Sequence, residues 1–230
     1  MKVIKMKKEN RDEFLRSVME VGELWAPVQK KKRVCFEQID DPKKIAKDLK
    51  RPILPLKKLI YPSKFSMFRF SDKGYEPTLD NTPTRIVFGV LPCDINALLI
   101  MDRVFMKDYP DPYYIKRREN TIIIGHSCEP DENCLCKSMN THFVEEGFDL
   151  GMNDLEDFYL VWMGSSKGHD LTRLRPDLFE EDIKDEDIRK YLKWREKRDA
   201  QFKQVFDTTG LPDIMELNYN SPLWEKLGEK

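Results

Sequence analysis

The sequence is short of features that would mark a secreted chain, a nucleic-acid binder or a self-contained enzyme. Charge imbalance is absent: 40 Lys and Arg face 41 Asp and Glu, for a formal net charge of −1. That leaves no electrostatic footprint for nucleic acid. The one basic run, QKKKRV around Lys31, is short and reads as a solvated loop. No stretch approaches the roughly 18–20 uninterrupted apolar residues of a membrane helix. The basic N-terminus MKVIKMKKENRDEF has no apolar region of a secretory signal. The chain is therefore expected to be cytoplasmic, without a membrane span. Neither G-x-G-x-x-G nor G-x-x-x-x-G-K-[ST] occurs, and the glycine-rich GSSKGH (164–169) lacks the phosphate-cradling pattern. No Ser–His–Asp set or paired carboxylate stands out, so independent hydrolysis has no support. No internal repeat or low-complexity tract is present. Finally, five cysteines cannot complete a disulfide framework, and a reducing compartment disfavours one.

The elements that are legible point to an α/β fold. Residues 10–25 read as a helix, with Asn10 as N-cap and Glu13 completing a variant capping box. Phe14, Leu15, Val18, Met19 and Leu24 form its apolar face, and Pro27 marks its end. Seven prolines interrupt residues 26–84, which favours strands and loops there. TRIVFGV (84–90) and TIIIGHS (121–127) are apolar runs of buried-strand type, and CDINALLIMDRVF (93–105) between them has helical spacing. Strand, helix, strand makes a βαβ unit with parallel strands and a right-handed crossover. FDLGMND and DFYLVWMG read as a hairpin turning at 153–157. Residues 180–206 read as a long charged helix whose narrow stripe, Ile188, Tyr191, Leu192, Phe202 and Phe206, lies across a surface or against a partner. The fold class is α/β: a βαβ-containing mixed sheet with flanking helices and a long charged C-terminal helix. The expected domains are an α/β cysteine-cluster domain over 1–178 and a helical C-terminal extension over 179–230.

Three cysteines crowd one stretch, GHSCEPDENCLCKSMN (125–140): Cys128, Cys134 and Cys136. The βαβ unit supplies a fourth. Ligands of parallel sheets gather beyond the carboxyl ends of the strands. Cys93 follows the first strand in LPCD, and Cys128 follows the second in GHSC, so parallel pairing puts both at one sheet edge. Four thiolates suit an iron–sulfur cluster or tetrahedral zinc. The spacing C…C-x₅-C-x-C lacks the paired knuckles common in structural zinc sites. A cubane spreads its ligands over four iron corners and accepts looser spacing. Reduced thiols in a turn are the third reading of the same residues. The helix N-terminus beside Cys93 would favour an anionic assembly.

GVLPCDINALLIMDRVF, DPYYIKRRENTIIIGHSC, CLCKSMNTHF and GFDLGMNDLEDFYLVWMGSSKG together resemble the beta subunit of archaeal sulfhydrogenases and its relative, the corresponding iron–sulfur subunit of anaerobic sulfite reductases. The resemblance runs over approximately residues 1–228, and GV-x-PCD, DPYY-x-x-RREN and C-x₅-C-x-C-x-SM carry it. It implies an iron–sulfur electron-transfer subunit holding a 4Fe–4S cluster through Cys93, Cys128, Cys134 and Cys136. The implied partners are a hydrogenase or sulfite reductase catalytic subunit on one side and a flavin- and NAD(P)-binding reductase subunit on the other. Family members continue into a ferredoxin-like domain with a C-x-x-C-x-x-C-x-x-x-C-P run, and SPLWEKLGEK stands about where that domain would begin. A structural or scaffolding subunit, with zinc or no metal at the cysteines, is the rival reading.

The remaining candidates have plainer roles. His126, where the family resemblance leads one to expect another residue type, is read as a strand-end histidine satisfied by backbone, with a spare-ligand or sulfur-donor role as the alternative. Cys35, in RVCFEQI, reads as a small core residue, and Asp94 as a helix cap. In DPYYIKRREN, Arg117 or Arg118 would pair with an anionic cluster or a partner, or the segment is a solvated helical turn carrying a buried tyrosine pair. His142 and His169 read as surface or loop residues.

Overall fold

The computed structural model of the chain describes residues 2–49, 51–79, 82–143 and 146–229. Its strands are β1 (Lys2–Lys7), β2 (Glu23–Lys30), β3 (Arg33–Gln38), β4 (Phe68–Ser71), β5 (Gly74–Pro77), β6 (Arg85–Val90), β7 (Thr121–His126), β8 (Leu150–Asp154), β9 (Phe158–Met163) and β10 (Phe179–Glu180). Its helices are α1 (Arg11–Val18), α2 (Lys57–Ile60), α3 (Pro92–Asp102), α4 (Pro112–Glu119), α5 (Ser166–Arg173), α6 (Asp185–Ala200), α7 (Leu211–Leu217) and α8 (Leu223–Gly228). All strands but β4 and β5 form one eight-stranded sheet in the order β10-β1-β9-β8-β7-β6-β2-β3. The four central strands β8, β7, β6 and β2 are mutually parallel, and antiparallel strands extend the sheet on both sides. The fold is thus a mixed α/β sheet flanked by helices, as the βαβ pattern predicts.

Helices cover both faces. On one, Phe14, Leu15 and Val18 of α1 and Leu171 of α5 pack against Ile4, Phe88, Ile124 and Val161. On the other, Ile95 and Leu98 of α3 and Tyr114 of α4 meet Val87 and Ile123. Alternate strand residues point to opposite faces, so Phe88 and Ile124 go one way while Val87 and Ile123 go the other. The same second face continues under α6, where Tyr191 packs with Leu160 and Trp162. Every residue of β7 is buried, which explains why it is apolar without alternation.

Two glycines set up the edge that matters. Gly89 has φ +78°, a conformation that L side chains rarely adopt, and the β6–β7 register shifts between Phe88 and Val90. That bulge redirects the chain into Leu91 and Pro92. Gly125 lies so close to α3 that an added Cβ would stand 2.9 Å from Ile95 Cδ1. Its missing side chain lets the first turn of α3 lie on the carboxyl end of β7.

Three sequence expectations are corrected. The helix expected over 10–25 ends at Val18, and Leu24 and Pro27 belong to β2. Asn10 makes no capping bond: its side-chain amide donates to the Leu178 carbonyl instead. Tertiary pairing of β2 with β6 outcompetes the local helical pattern. Within 180–206, the helix covers Asp185–Ala200, and Ile188 and Leu192 are exposed. The residues that α6 buries are Asp187, Tyr191 and Arg198, two of them charged.

Candidate metal centre

The carboxyl ends of β6 and β7 deliver Cys93 and Cys128 to the same edge of the sheet. Pro92 occupies the first turn of α3, where its missing N–H is no loss and its fixed φ suits the helix start. Cys93 follows in that turn, beside the positive end of the helix dipole. Asp94, expected to cap α3, makes no cap: Leu91 is the N-cap position and no side chain bonds there. Burial instead pushes the Asp94 carboxyl above its ordinary range.

Beyond β7 the chain is tied down at once. Ser127 N–H donates to Met152 O at 2.9 Å, and Ser127 Oγ accepts from Asp154 N at 2.9 Å. His126 is buried, with Nδ1 2.5 Å from Ser127 O, so the ring is occupied by backbone. Burial lowers its affinity for a proton. The loop 128–141 then folds as turns around Asp131, whose Oδ1 accepts from Asn133 N at 2.8 Å.

All five cysteines are free and half-buried. Cys136 lies near both Cys93 and Cys134, close enough for each to act on its proton affinity. The neighbouring Cys93 thiol holds the Cys136 thiol down to about 6, while the Cys136 neighbour and burial push Cys93 up. Cys128 stands close enough to Cys93 and Cys136 for direct charge interaction, and burial pushes it up. Cys134 is pushed up to about 11 by burial. Its Sγ lies 3.3 Å from both the amide and the Oδ1 of Asp131. Cys35 sits on the edge strand β3 opposite Val28, with β2 between it and β6. Among the described residues, no three or more His, Cys, Asp or Glu side chains converge in the geometry of a single metal ion.

Residues with no sequence signal complete the surroundings. Arg198 of α6 is 2% exposed. Its Nε donates to Cys128 O at 2.6 Å, and its Nη2 to Cys128 Sγ at 3.3 Å. The segment around and beyond it straps the cysteine loop: Lys137 Nζ donates to Asp199 O at 3.0 Å, and Gln204 Nε2 to Glu132 O at 2.8 Å. Phe206 N donates to Ser138 Oγ at 3.0 Å, and Thr208 Oγ1 to Ser138 O at 3.2 Å. Nothing in the periodicity of residues 180–206 announces these contacts, because they join residues about 70 apart.

The other candidates fall elsewhere. Arg118 pairs with Asp102 at 3.1 Å and Arg117 stacks over Phe65 at 4.0 Å, so neither touches the thiols. Tyr113 and Tyr114 are the buried pair of α4. GSSKGH caps and opens α5, with Ser165 Oγ accepting from Gly168 N at 3.2 Å. His169 is exposed. His142, read as a surface or loop residue, lies in the loop after β7, mostly enclosed and 3.1 Å from Asp199 Oδ1 on α6. Among the described residues, no helix is long and apolar enough to cross a membrane.

Sulfhydrogenase 2 subunit beta of Pyrococcus furiosus is 37% identical over 230 residues, all of this chain and 68% of that protein. The chain belongs to the sulfhydrogenase beta-subunit family. No family model matches it, and no solved structure matches it. The beta-subunit family assignment thus rests on full-length sequence identity, together with the resemblance of the motifs that carry the four cysteines.

Proposed function

We propose that this chain is an electron-transfer subunit of a multi-subunit hydrogenase-type oxidoreductase, and that Cys93, Cys128, Cys134 and Cys136 hold a 4Fe–4S cluster. The observation that carries the reading is the gathering of four unpaired thiols, from two strand ends and one loop, at one edge of the sheet, with Cys128 and Cys136 each close enough to Cys93 for their charges to act on it. The donor set fits: four sulfur ligands suit a cluster, and a buried guanidinium already bonds the sulfur of Cys128. When bound, such a cluster accepts and releases single electrons. The chain's own part is to hold the sulfurs, supply positive charge and limit water at one sheet edge. Pro92, the bulge at Gly89 and the Ser127 contacts position Cys93 and Cys128 on rigid elements, while the strap from α6 positions the loop.

The name of the relative, a subunit beta, supports assembly with other hydrogenase subunits. We place the chain in the cytoplasm, with a hydrogenase or sulfite reductase catalytic subunit on one side and a flavin- and NAD(P)-binding reductase subunit on the other. The experiment is anaerobic purification with metal analysis. The expected result is a brown protein with about four irons per chain, lost in Cys134→Ala and kept in Cys35→Ala. A colourless protein carrying one zinc and no iron would replace this reading with the scaffolding one.

A further inference from the structure

Arg198 poses an electrostatic problem that the fold alone does not solve. Its guanidinium is 2% exposed, and Phe143, Phe202 and Trp194 surround it, with ring centroids 4.8, 5.6 and 5.9 Å away. Among the described residues no carboxylate forms an ion pair with it. Asp199, the next residue, turns instead to His142 and Lys137. Nη1 is buried and has no hydrogen-bond partner. Aromatic faces attract a cation but carry no net charge. A buried charge is kept only where an anion or strong acceptors compensate it. Among the described residues, the single group of variable charge in hydrogen-bond reach is Cys128 Sγ, at 3.3 Å from Nη2.

We propose that Arg198 is the counter-charge of the cluster and sets its reduction potential through the sulfur of Cys128. The inference rests on the 4Fe–4S reading above. With Cys128 as a thiolate ligand, the Nη2–H···Sγ bond joins a full cation to the most electron-rich atoms of the site. Reduction adds one electron to the cluster and its sulfurs, so the reduced state gains more from Arg198 than the oxidised state does. Hydrogen bonds to sulfur and local charge are two of the levers that set cluster potentials. The aromatic box excludes water, which keeps the interaction unscreened. Arg fits the role better than Lys, because one fork holds the carbonyl and the sulfur of the same residue at once.

The test is an anaerobic dithionite titration of the full chain, followed by EPR, on wild type, Arg198→Gln, Arg198→Lys and Leu192→Ala, with iron measured in each. Leu192 is exposed on the same helix and serves as the control. Arg198→Gln should keep its iron and move to a more negative midpoint. The reduced-to-oxidised ratio at the wild-type midpoint should fall at least about tenfold, equivalent to about 59 mV for one electron. Arg198→Lys, which keeps the charge without the fork, should move the same way by less. An iron-replete Arg198→Gln or Arg198→Lys with the wild-type midpoint overturns the proposal. So does loss of iron from both Arg198 variants in chains that keep wild-type circular dichroism, since Arg198 would then be only a clamp. A wild type that binds no iron fails the cluster reading itself, a separate outcome visible before any titration.

Discussion

The two halves of the cysteine group are built differently. Around Cys128 everything is enclosed: a buried strand end, a buried arginine, three aromatic rings and the strap of α6. Around Cys134 the partners are Asp131 and, through it, the exposed Arg51 at 3.3 Å, all on a solvated loop. One half offers positive charge in low dielectric, the other a carboxylate in water. Charge interactions at the first are strong and hard to screen, whereas those at the second are weak and salt-sensitive. On the proposed reading, a site that accepts an electron from one neighbour and releases it to another would gain from one insulated wall and one approachable one.

The largest test of that contrast is packing. Phe202 is buried and edges onto both His142 and the Arg198 guanidinium. Phe202→Ala should cost about 3 kcal/mol in urea unfolding, through lost burial and the cavity left behind. Leu135→Ala, at an exposed position of the other half, should stay within about 0.5 kcal/mol. Equal costs would mean that the two halves are packed alike.

The second test is chemical and uses the metal-free protein. Cys136 is held down to about 6, whereas Cys134 is pushed up to about 11. A lowered value means that the thiolate is present above pH 6 and disappears as the pH falls through it. Alkylation of Cys136 by iodoacetamide should therefore climb between pH 5 and pH 7 and then level off, as read by mass spectrometry. At neutral pH its thiolate is favoured over that of Cys134, and the lower nucleophilicity of an acidic thiol takes back only part of that advantage. Cys136 should therefore be modified before Cys134. That preference should collapse in Cys93→Ala, which removes the neighbour that holds Cys136 down. A rate at Cys136 that is flat across this range would contradict the thiol pairing.

The smallest effect belongs to the solvated rim. Arg51→Ala removes an exposed ion pair and should change stability by less than about 0.5 kcal/mol, and by nothing measurable in high salt. A larger loss in a thermal melt would make the open wall more structured than its exposure implies.

The sequence carried the parallel βαβ unit and the meeting of Cys93 with Cys128, because both follow from local apolar runs and a topological rule. It carried the 150–163 hairpin and the tyrosine pair of α4 for the same reason. It misled at residues 19–25, where helical spacing continues into a segment claimed by β2. It was silent about Arg198, Lys137 and Gln204. In α6 the exposed side chains include Ile188 and Leu192 while Arg198 is buried, the reverse of what hydrophobic periodicity assumes. Burial of a charge is dictated by what it faces across space, and no spacing within a helix encodes that.

β1 has a consequence for how the molecule comes into being. It precedes every other described strand, yet it lies between β9 and β10, with Lys2 opposite Met163 and Met6 opposite Phe179. A ribosome must therefore extrude the chain past residue 163 before β1 finds either neighbour. Arg198 emerges later still, long after Cys93 and Cys128. During synthesis the thiols are thus presented on an unfinished edge with no guanidinium behind them. If the proposed cluster is held there, iron delivered then would meet an open cradle, whereas iron delivered after release would have to enter past the closed α6 strap. Contacts so distant in sequence also make slow folding the expectation, which lengthens the interval in which the cradle stays open.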